Sequence, residues 1–412
     1  MLVKLSHYVL VWWKITKNTN ILNWIKGYKI PFQATPYQVA PPTWKLPRTQ
    51  NTALAEVVSQ LLNTGAIEIA TPAKGQFLSP YFLRQKSNLS YRFILNLKRL
   101  NQFILTPHFK MDDYRTVTRL LQPNMYVTSI DLTDAYLFVP IHPSHRKYLR
   151  FEFENNLYEF TALPFGLAIA PYVFSKITRC VSTYLHSQGI LCVNYLDDFL
   201  ILGDSFSDCL RGTEKTVHVL QSLGFLINES KSQLHPSQTC QYLGFLFNSQ
   251  TMTIALPPEK RQKIHTWTAA ILDLITHHKR CRITYLAQYI GLLISACPAI
   301  KYGWLYTRQL EREKCKALSH HALNYKAKIQ LSAVLLPDLR WWNTAIRVSK
   351  NFIQRDEYQR IIFTDASLNG WGAHCNGENT HGWWNEREKT KHINYLELLA
   401  IFFGLQCFCK SL

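Results

Sequence analysis

Apolar residues recur three and four positions apart in several stretches of the chain, the spacing that places them on one face of a helix. The first stretch runs from Asn51 to Leu62, and Gly65 shortly after it favours a helix end. The segment IAPYVFSKITRCVSTYLHSQG has the same spacing, and from Pro257 to about Lys350 the pattern remains helical. The sequence therefore predicts an early helix, a central helix and a later bundle-like region.

Other stretches alternate apolar and polar residues or form short apolar runs, as β-strands do. The segment FLSPYFLRQKSNLSYRFILNLKRLN predicts two strands joined by a polar turn at 86–90. Further strands are predicted in MYVTSIDLTDAYLFVPIHPSHRKYLRFEFENNLYEFTAL and in GILCVNYLDDFLILGD, and strands resume at Ile361. Helices and strands together indicate a mixed α+β fold.

Residues 1–50 are rich in aromatic residues, Thr, Asn and Pro, and the prolines of PYQVAPPTWKLPR exclude a continuous helix. We predict an extended N-terminal arm over these residues. The opening MLVKLSHYVLVWWKITKN contains Lys4 and His7 within a short apolar patch, so it resembles neither a secretory signal nor a membrane span. Since no other stretch reaches membrane-spanning length, we expect no membrane partner and no export.

The net charge indicates the class of binding partner more clearly than the composition does. The 412 residues are 47% hydrophobic, enough for two or three globular units. They include 46 Lys and Arg against 27 Asp and Glu, a net charge of +19, which favours nucleic acid as the partner. An anionic membrane surface, or no polyanionic partner, are the alternatives. The ten cysteines form no CxxC pair, which indicates a reducing, intracellular compartment.

Three aspartates stand where strands are predicted to end. Asp197 and Asp198 interrupt an apolar run, and a tight hairpin with both residues at its tip keeps their charges out of the core. Asp131 directly follows the apolar segment YVTSI, so its side chain also reaches a strand end. Such carboxylates suit a pair of Mg²⁺ ions about 4 Å apart, the arrangement that phosphoryl transfer uses. An ordinary turn containing Asp is the alternative for the hairpin.

The strings DLTDAY, LPFGLAIAPYVF and YLDD, in that order, resemble three motifs of reverse transcriptases. This resemblance implies a right-hand polymerase, with fingers and palm over residues 51–255 and a helical thumb or connection over 256–355. It implies an RNA-directed DNA polymerase that binds an RNA template, a DNA primer or duplex, and dNTPs. Two Mg²⁺ ions, with Mn²⁺ as an alternative, would be held by Asp131 and Asp197, with Asp198 assisting.

The resemblance also assigns contacts around the nucleotide. Six positions match nucleotide-binding residues of the family: Lys86, Arg92, Tyr136, Phe165, Gly166 and Lys231. Lys86 and Arg92 would neutralise the triphosphate, since charge spreads over its oxygens in the transition state. Tyr136 would exclude a ribose 2′-OH, and Lys231 would give a proton to pyrophosphate unless it is merely an exposed lysine.

Two further segments resemble the family in ways that concern the primer. Tyr195 of YLDD would lie against the primer end. The string QYLGFLFN resembles the primer grip, in which Leu243, Gly244 and Phe245 would shape a turn beneath the primer strand. A hairpin that serves only core packing is the alternative for this second segment.

The end of the sequence resembles the first half of a ribonuclease H domain, which implies a partial α/β unit over residues 356–412. Asp365 of IIFTDASLNG and Glu397 of HINYLELLAIFFGL match its metal ligands, and no Asp or Glu follows Glu397. We therefore expect a truncated domain without ribonuclease H activity. Phe165, where retroviral enzymes usually carry Gln, together with NYLELLAIFFGLQ, most resembles DIRS-type retrotransposons, which use a tyrosine recombinase.

Two other functions remain open on the sequence. The chain could be the product of a decayed element that binds nucleic acid through its charge without copying it. It could also be a nuclease that uses Asp365 and Glu397, although two carboxylates hold two metal ions poorly. The template, the priming mechanism and the oligomeric state have no signal in the sequence.

Overall fold

Helices and strands alternate along the chain, which confirms the predicted mixed α+β class. The computed structural model describes residues 4–40, 51–85, 90–348, 350–353 and 360–409. These residues fall into two compact units that divide after Ile353. The boundaries at 255 and 355 that the sequence suggested between palm, thumb and C-terminal unit remain predictions.

The first unit contains eleven α-helices among its described residues: α1 (Val9–Ile15), α2 (Thr19–Lys26), α3 (Asn51–Thr64), α4 (Tyr114–Leu120), α5 (Pro143–Arg146), α6 (Ala170–Ser187), α7 (Phe206–Ser222), α8 (Pro258–Thr276), α9 (Ile283–Ile294), α10 (Arg308–His320) and α11 (Leu336–Val348). Its strands are β1 (Ile67–Ile69), β2 (Tyr81–Gln85), β3 (Tyr91–Leu95), β4 (Tyr126–Asp131), β5 (Arg150–Phe153), β6 (Asn156–Phe160), β7 (Leu191–Tyr195), β8 (Asp198–Gly203), β9 (Gln233–Ser237), β10 (Thr239–Tyr242), β11 (Phe245–Asn248), β12 (Thr253–Ala255), β13 (Arg280–Arg282), β14 (Lys328–Gln330) and β15 (Lys350–Phe352). The second unit contains β16 (Ile362–Ala366), β17 (Gly370–Cys375), β18 (Glu378–Trp383), α12 (Glu386–Lys389) and α13 (Ile393–Phe408).

A four-stranded antiparallel sheet in the order β7, β8, β4, β9 forms the centre of the first unit. Strand β8 is apolar after Asp198, because both of its faces are buried there. Phe199 and Ile201 pack into one hydrophobic cluster, with α6, while Leu200 and Leu202 pack into a second cluster on the other face. This sheet carries the predicted catalytic aspartates at one edge.

Two smaller groups of strands come from residues that precede β7 in the sequence. Strands β2 and β3 form the hairpin predicted from their alternating pattern, and β1, β6 and β5 form a three-stranded sheet. Arg150 of β5 is almost fully buried, and its guanidinium pairs with Glu159 at 2.7 Å while also donating to the Thr71 carbonyl at 2.9 Å. This buried ion pair joins β5 to β6 and to the segment after β1.

The prediction of an extended N-terminal arm is wrong for residues 5–26, which are largely helical. The prolines that suggested an extended chain begin only at Pro31, so they do not affect α1 or α2. Asn18 caps α2 by accepting hydrogen bonds from two main-chain N–H groups. Trp12 of α1 is fully buried, and its indole N–H donates to the Leu223 carbonyl at 3.2 Å. The N-terminal segment is therefore part of the core.

The region after Pro257 contains the predicted helices α8 to α11 together with short strands that were not predicted. Strands β13 and β14 pair with each other, and β15 pairs with β12 at the edge of the sheet formed by β10, β11 and β12. These strands are three residues long, too short to show an alternating pattern in the sequence.

The second unit is an antiparallel sheet of β16, β17 and β18 with α13 packed against it. Gly404 of α13 lies so close to the sheet that a β-carbon there would be 2.9 Å from Thr364 Cγ2. In the described part of the whole chain, no helix has the length and apolar character needed to cross a membrane.

Candidate active site

A two-residue turn between β7 and β8 carries the first candidate residues. Tyr195 pairs with Asp198, so Leu196 and Asp197 form the turn itself. The predicted hairpin is present, but Asp198, which was expected at its tip with Asp197, is the first residue of β8. Leu196 has a φ of 54°, an uncommon left-handed conformation for a branched side chain. The Asn194 amide stabilises this turn by donating to the carbonyls of Leu196 at 3.0 Å and Asp198 at 3.4 Å.

The third aspartate lies beside this turn. Asp131 is the last residue of β4, and the strand register places it directly opposite Asp198. The main-chain N–H of Leu132 donates to the Asp197 carbonyl at 3.0 Å, which holds the turn against the end of β4. All three aspartates are half-buried. The sheet therefore brings them together at one edge, although 66 positions separate Asp131 from Asp197 in the sequence.

The electrostatics of this cluster favour a cation. Burial raises the pKa of Asp197, and repulsion from Asp131 adds to this effect, while Arg92 and Lys231 oppose it. Burial, followed by repulsion from Asp197 and Asp131, raises the pKa of Asp198 well above its ordinary value. A bound divalent ion would offset this repulsion.

The donor set fits Mg²⁺ by its chemistry but does not enclose an ion by itself. Within the described ranges, no group of three or more His, Cys, Asp or Glu side chains surrounds a position for a metal ion. Mg²⁺ at sites of phosphoryl transfer takes one or two carboxylates and obtains its other ligands from water and substrate phosphates. The three aspartates therefore fit an ion whose coordination the substrate completes, and not a closed protein cage.

Aromatic rings border the aspartates on one side. Tyr136 lies in the short 3₁₀ helix Ala135–Phe138 that follows β4, with its ring centroid 5.2 Å from those of Phe165 and Phe174. Burial raises the pKa of the Tyr136 hydroxyl, and the nearby charge of Asp197 raises it further. The predicted sugar-contacting ring thus lies close to the predicted metal ligands.

Arg92 of β3 reaches the same region from the fingers. Its guanidinium carbon lies 4.5 Å from the centroid of the Phe165 ring, within the range of a cation–π contact. Its Nε atom is buried and makes no hydrogen bond within the part of the chain that the structure describes. Arg92 therefore retains hydrogen-bonding capacity for an anionic ligand. Lys86, predicted to act beside it, lies outside the described residues.

Gly166 is required by the backbone at the LPFG turn. Its φ is +103°, and a β-carbon there would lie 2.2 Å from the Leu95 carbonyl oxygen. Asn101 holds the turn from both sides, since its amide donates to the Gly166 carbonyl at 3.0 Å and accepts from the Ala168 N–H at 2.9 Å. Sequence reasoning missed Asn101, because one polar residue among the polar neighbours Lys98, Arg99 and Gln102 has no motif of its own.

The predicted primer-contacting turn lies between β10 and β11. Leu243 and Gly244 form it with φ values of 49° and 73°, and Tyr242 pairs with Phe245 across it. The Tyr242 hydroxyl donates to the Asp198 carbonyl at 3.1 Å, which links this hairpin to the aspartate turn. Tyr242 was not predicted as a site residue.

Two predicted residues belong to the second unit. Asp365 of β16 is opposite Gly372, on the sheet face away from α13, because its neighbour Thr364 faces the helix. Glu397 is half-buried on α13. Among the described residues, neither carboxylate belongs to a group of three or more His, Cys, Asp or Glu side chains that could hold a metal ion.

Solved structures of a foamy viral protease-reverse transcriptase share the fold of this chain. One, in complex with double-stranded DNA, aligns with 99% of this chain and 73% of its own length, with a TM-score of 0.64 and 16% identity. Another, in complex with an RNA/DNA hybrid, aligns with 92% of this chain and 49% of its own, with a TM-score of 0.62 and 18% identity. These likenesses confirm the predicted polymerase fold.

Residues 84–247 match the family described as reverse transcriptase (RNA-dependent DNA polymerase). The enzymatic polyprotein of Figwort mosaic virus (strain DxS) is 22% identical over 365 residues, which cover 84% of this chain and 50% of the relative. The Gag-Pol polyprotein of avian reticuloendotheliosis virus is 28% identical over 218 residues, 48% of this chain and 19% of the relative. A transposon polyprotein of Schizosaccharomyces pombe is 22% identical over 231 residues, which cover 56% of this chain and 17% of the relative. The chain thus spans half or less of the length of these relatives.

Proposed function

We propose that this chain, which contains a reverse transcriptase domain over residues 84–247, is an RNA-directed DNA polymerase. It extends the 3′-OH of a DNA primer with dNTPs along an RNA template. The observation that carries the proposal is the convergence of Asp131, Asp197 and Asp198 at one edge of the central sheet. The Arg92 charge lowers the pKa of Asp197, and the Asp197 charge raises the pKa of Tyr136. Both residues are therefore close to Asp197, which supports a nucleotide site beside the carboxylates.

The three aspartates share the task of holding metal ions in this proposal. Asp131 and Asp197 would hold two Mg²⁺ ions, for which Mn²⁺ could substitute, and Asp198 would assist from the opposite strand. When bound, such ions stabilise the attacking and leaving oxygens of an in-line displacement. The protein contributes fixed positions for the carboxylates, because Asp131 ends a buried strand and Asp197 occupies a tight turn.

Some groups around the nucleotide neutralise its charge, and others contact its sugar and base. Arg92 and Lys86 neutralise the triphosphate, and the unpaired, buried Nε of Arg92 supports this role. Tyr136 lies against the sugar, and Phe165 and Gly166 lie against the base pair. Lys231 donates a proton to pyrophosphate. The effect of the Lys231 charge on Asp197 supports its placement near the reaction.

Nucleic acid binds across the palm and thumb in this proposal. The primer end lies against Tyr195 and the turn formed by Leu243, Gly244 and Phe245, with fingers and palm over residues 51–255 and the thumb or connection over 256–355. The link from Tyr242 to Asp198 supports a primer position beside the carboxylates. The net charge of +19 supports a duplex as the bound partner.

The finer origin of the chain is also a proposal. The similarity to viral and transposon polyproteins supports an origin in a retroelement, and Phe165 in the LPFG turn favours the DIRS type. The sheet and helix of the second unit support a ribonuclease H-like fold, with Asp365 and Glu397 as part of its site. We further propose an intracellular location, which suits ten cysteines that form no disulfide among the described residues.

Primer extension on poly(rA)/oligo(dT) with dTTP tests the function. The proposal expects extension with Mg²⁺ that stops when the metal is chelated, and Mn²⁺ should restore it. A chain that binds the primed template in a filter or anisotropy assay but leaves the primer unextended with either metal would support the nucleic-acid-binding alternative instead.

A further inference from the structure

Strand β4 carries Asp131 at its end and is paired on both sides, but the two sides differ. On one side, pairing with β8 continues to Asp131 itself, opposite Asp198. On the other side, pairing with β9 shifts register after Val127, and its last pair joins Ser129 to Gln233. Regular sheet hydrogen bonds therefore stop before Asp131 on the β9 side.

A turn that precedes β9 supplies the missing hydrogen bonds. The main-chain N–H of Asp131 donates to Ser232 Oγ at 3.0 Å, and the Asp131 carbonyl accepts from the Asn228 N–H at 2.8 Å. The Ser232 hydroxyl in turn donates to the Asn228 carbonyl at 2.7 Å. One hydroxyl group thus accepts from the strand and donates to the turn, and the donated bond fixes the orientation of its O–H.

The start of the segment that leads to this turn is anchored by the N-terminal helices. The Trp12 indole donates to the Leu223 carbonyl at 3.2 Å. The Tyr8 ring lies so close to Gly224 that a β-carbon there would be 2.4 Å from it. Because this end of the segment is fixed in the core, the position of Ser232 relative to the strand is also restricted.

We propose that Ser232 is a positioning residue that holds the Asp131 carboxylate in its place relative to Asp197. The proposal rests on the polymerase function argued above. Without the Ser232 hydroxyl, the Asp131 N–H loses its acceptor. On this side the strand end is then held only by the main-chain bonds from the Asn228 N–H to Asp131 and from the Thr133 N–H to Leu226, and its position is less firmly fixed. Displacements of about 1 Å at reacting groups cost about 100-fold in rate.

Kinetics of Ser232→Ala on a primed RNA template test this role. We expect kcat to fall about 10- to 100-fold, as it does when groups that orient metal ligands are lost. The KM for dNTP and the affinity for template-primer should stay unchanged, because Ser232 touches neither. Ser232→Thr keeps the hydroxyl and should restore most of kcat. Ser222→Ala is the matched control, since that half-buried hydroxyl donates only to Val219 in its own helix at 2.8 Å, and it should leave kcat unchanged.

Hydrogen exchange at the Asp131 amide gives a second readout that does not depend on catalysis. Exchange should be faster in Ser232→Ala than in the wild type, Ser232→Thr or Ser222→Ala, with equal melting temperatures. Equal exchange at this amide would overturn the proposal even if the wild-type chain were inactive. Full kcat in Ser232→Ala, or an equal loss in Ser232→Thr, would also overturn it. Absence of primer extension by the wild type, with the expected exchange difference, would instead refute the polymerase function alone.

Discussion

Replacement of Gly166 by alanine should lower kcat/KM for dNTP, because the new β-carbon would clash with the backbone. The structure gives the extent of that clash. The new β-carbon would lie 2.2 Å from the Leu95 carbonyl oxygen, where contacts between carbon and oxygen are normally no closer than about 3.3 Å. The turn and β3 must therefore separate by about 1 Å. The φ of +103° adds strain of about 1–3 kcal/mol for a residue with a side chain.

This displacement acts on the nucleotide site because Phe165, beside Gly166, stacks against Arg92 and Tyr136. We expect kcat/KM for dNTP to fall about 100-fold. The control is Gly189→Ala, since Gly189 also has a positive φ of +76°, but a β-carbon there would meet no atom of the described residues within 4 Å. Single-nucleotide kinetics and thermal melting of both variants decide the matter. Equal kcat/KM values in the two variants would refute the reasoning.

Two further variants test the sugar contact and the stability that the buried pair of Arg150 and Glu159 provides. Tyr136→Val should raise the incorporation of ribonucleotides relative to dNTPs, because a smaller side chain leaves room for a 2′-OH. An unchanged ratio of kcat/KM values would place the ring away from the sugar. Arg150→Met should lower the free energy of unfolding in urea by about 3–5 kcal/mol, because it leaves Glu159 charged and buried. Arg211→Met, which breaks the exposed pair with Asp208, should cost less than about 1 kcal/mol, and equal losses would contradict this account.

Local chemistry explains which parts of the site could be predicted from the sequence. Two adjacent carboxylates between apolar runs favour a turn, because burial of both charges in the core would be costly. The structure confirms the β7–β8 hairpin that this reasoning predicts. The helices at Asn51–Thr64 and Ala170–Ser187 are confirmed because their apolar faces recur at helical spacing. The pairing of Asp131 with Asp198 could only be inferred from a family resemblance, since register between distant strands leaves no local pattern.

The residues that the sequence did not indicate act through the main chain of distant segments. Asn101 clamps the LPFG turn, Tyr242 bonds the carbonyl of Asp198, and Ser232 supports Asp131. Each is one polar residue whose partner becomes apparent only after folding. The N-terminal helices have little signal in the sequence for a different reason: α1 and α2 are short, and the prolines further along that segment obscure the periodicity around Trp12.

The rate of single-nucleotide incorporation by Asp197→Asn tests the central claim most directly. Asparagine keeps the size of the side chain in the turn but removes the negative charge proposed to hold the metal ions. Asp204→Asn is the control, since Asp204 is an exposed acid just beyond the other end of β8. The account predicts that Asp197→Asn binds template-primer as the wild type does but incorporates dNTP at least about a thousandfold more slowly, about 4 kcal/mol, while Asp204→Asn remains active. Incorporation near the wild-type rate by Asp197→Asn would contradict it.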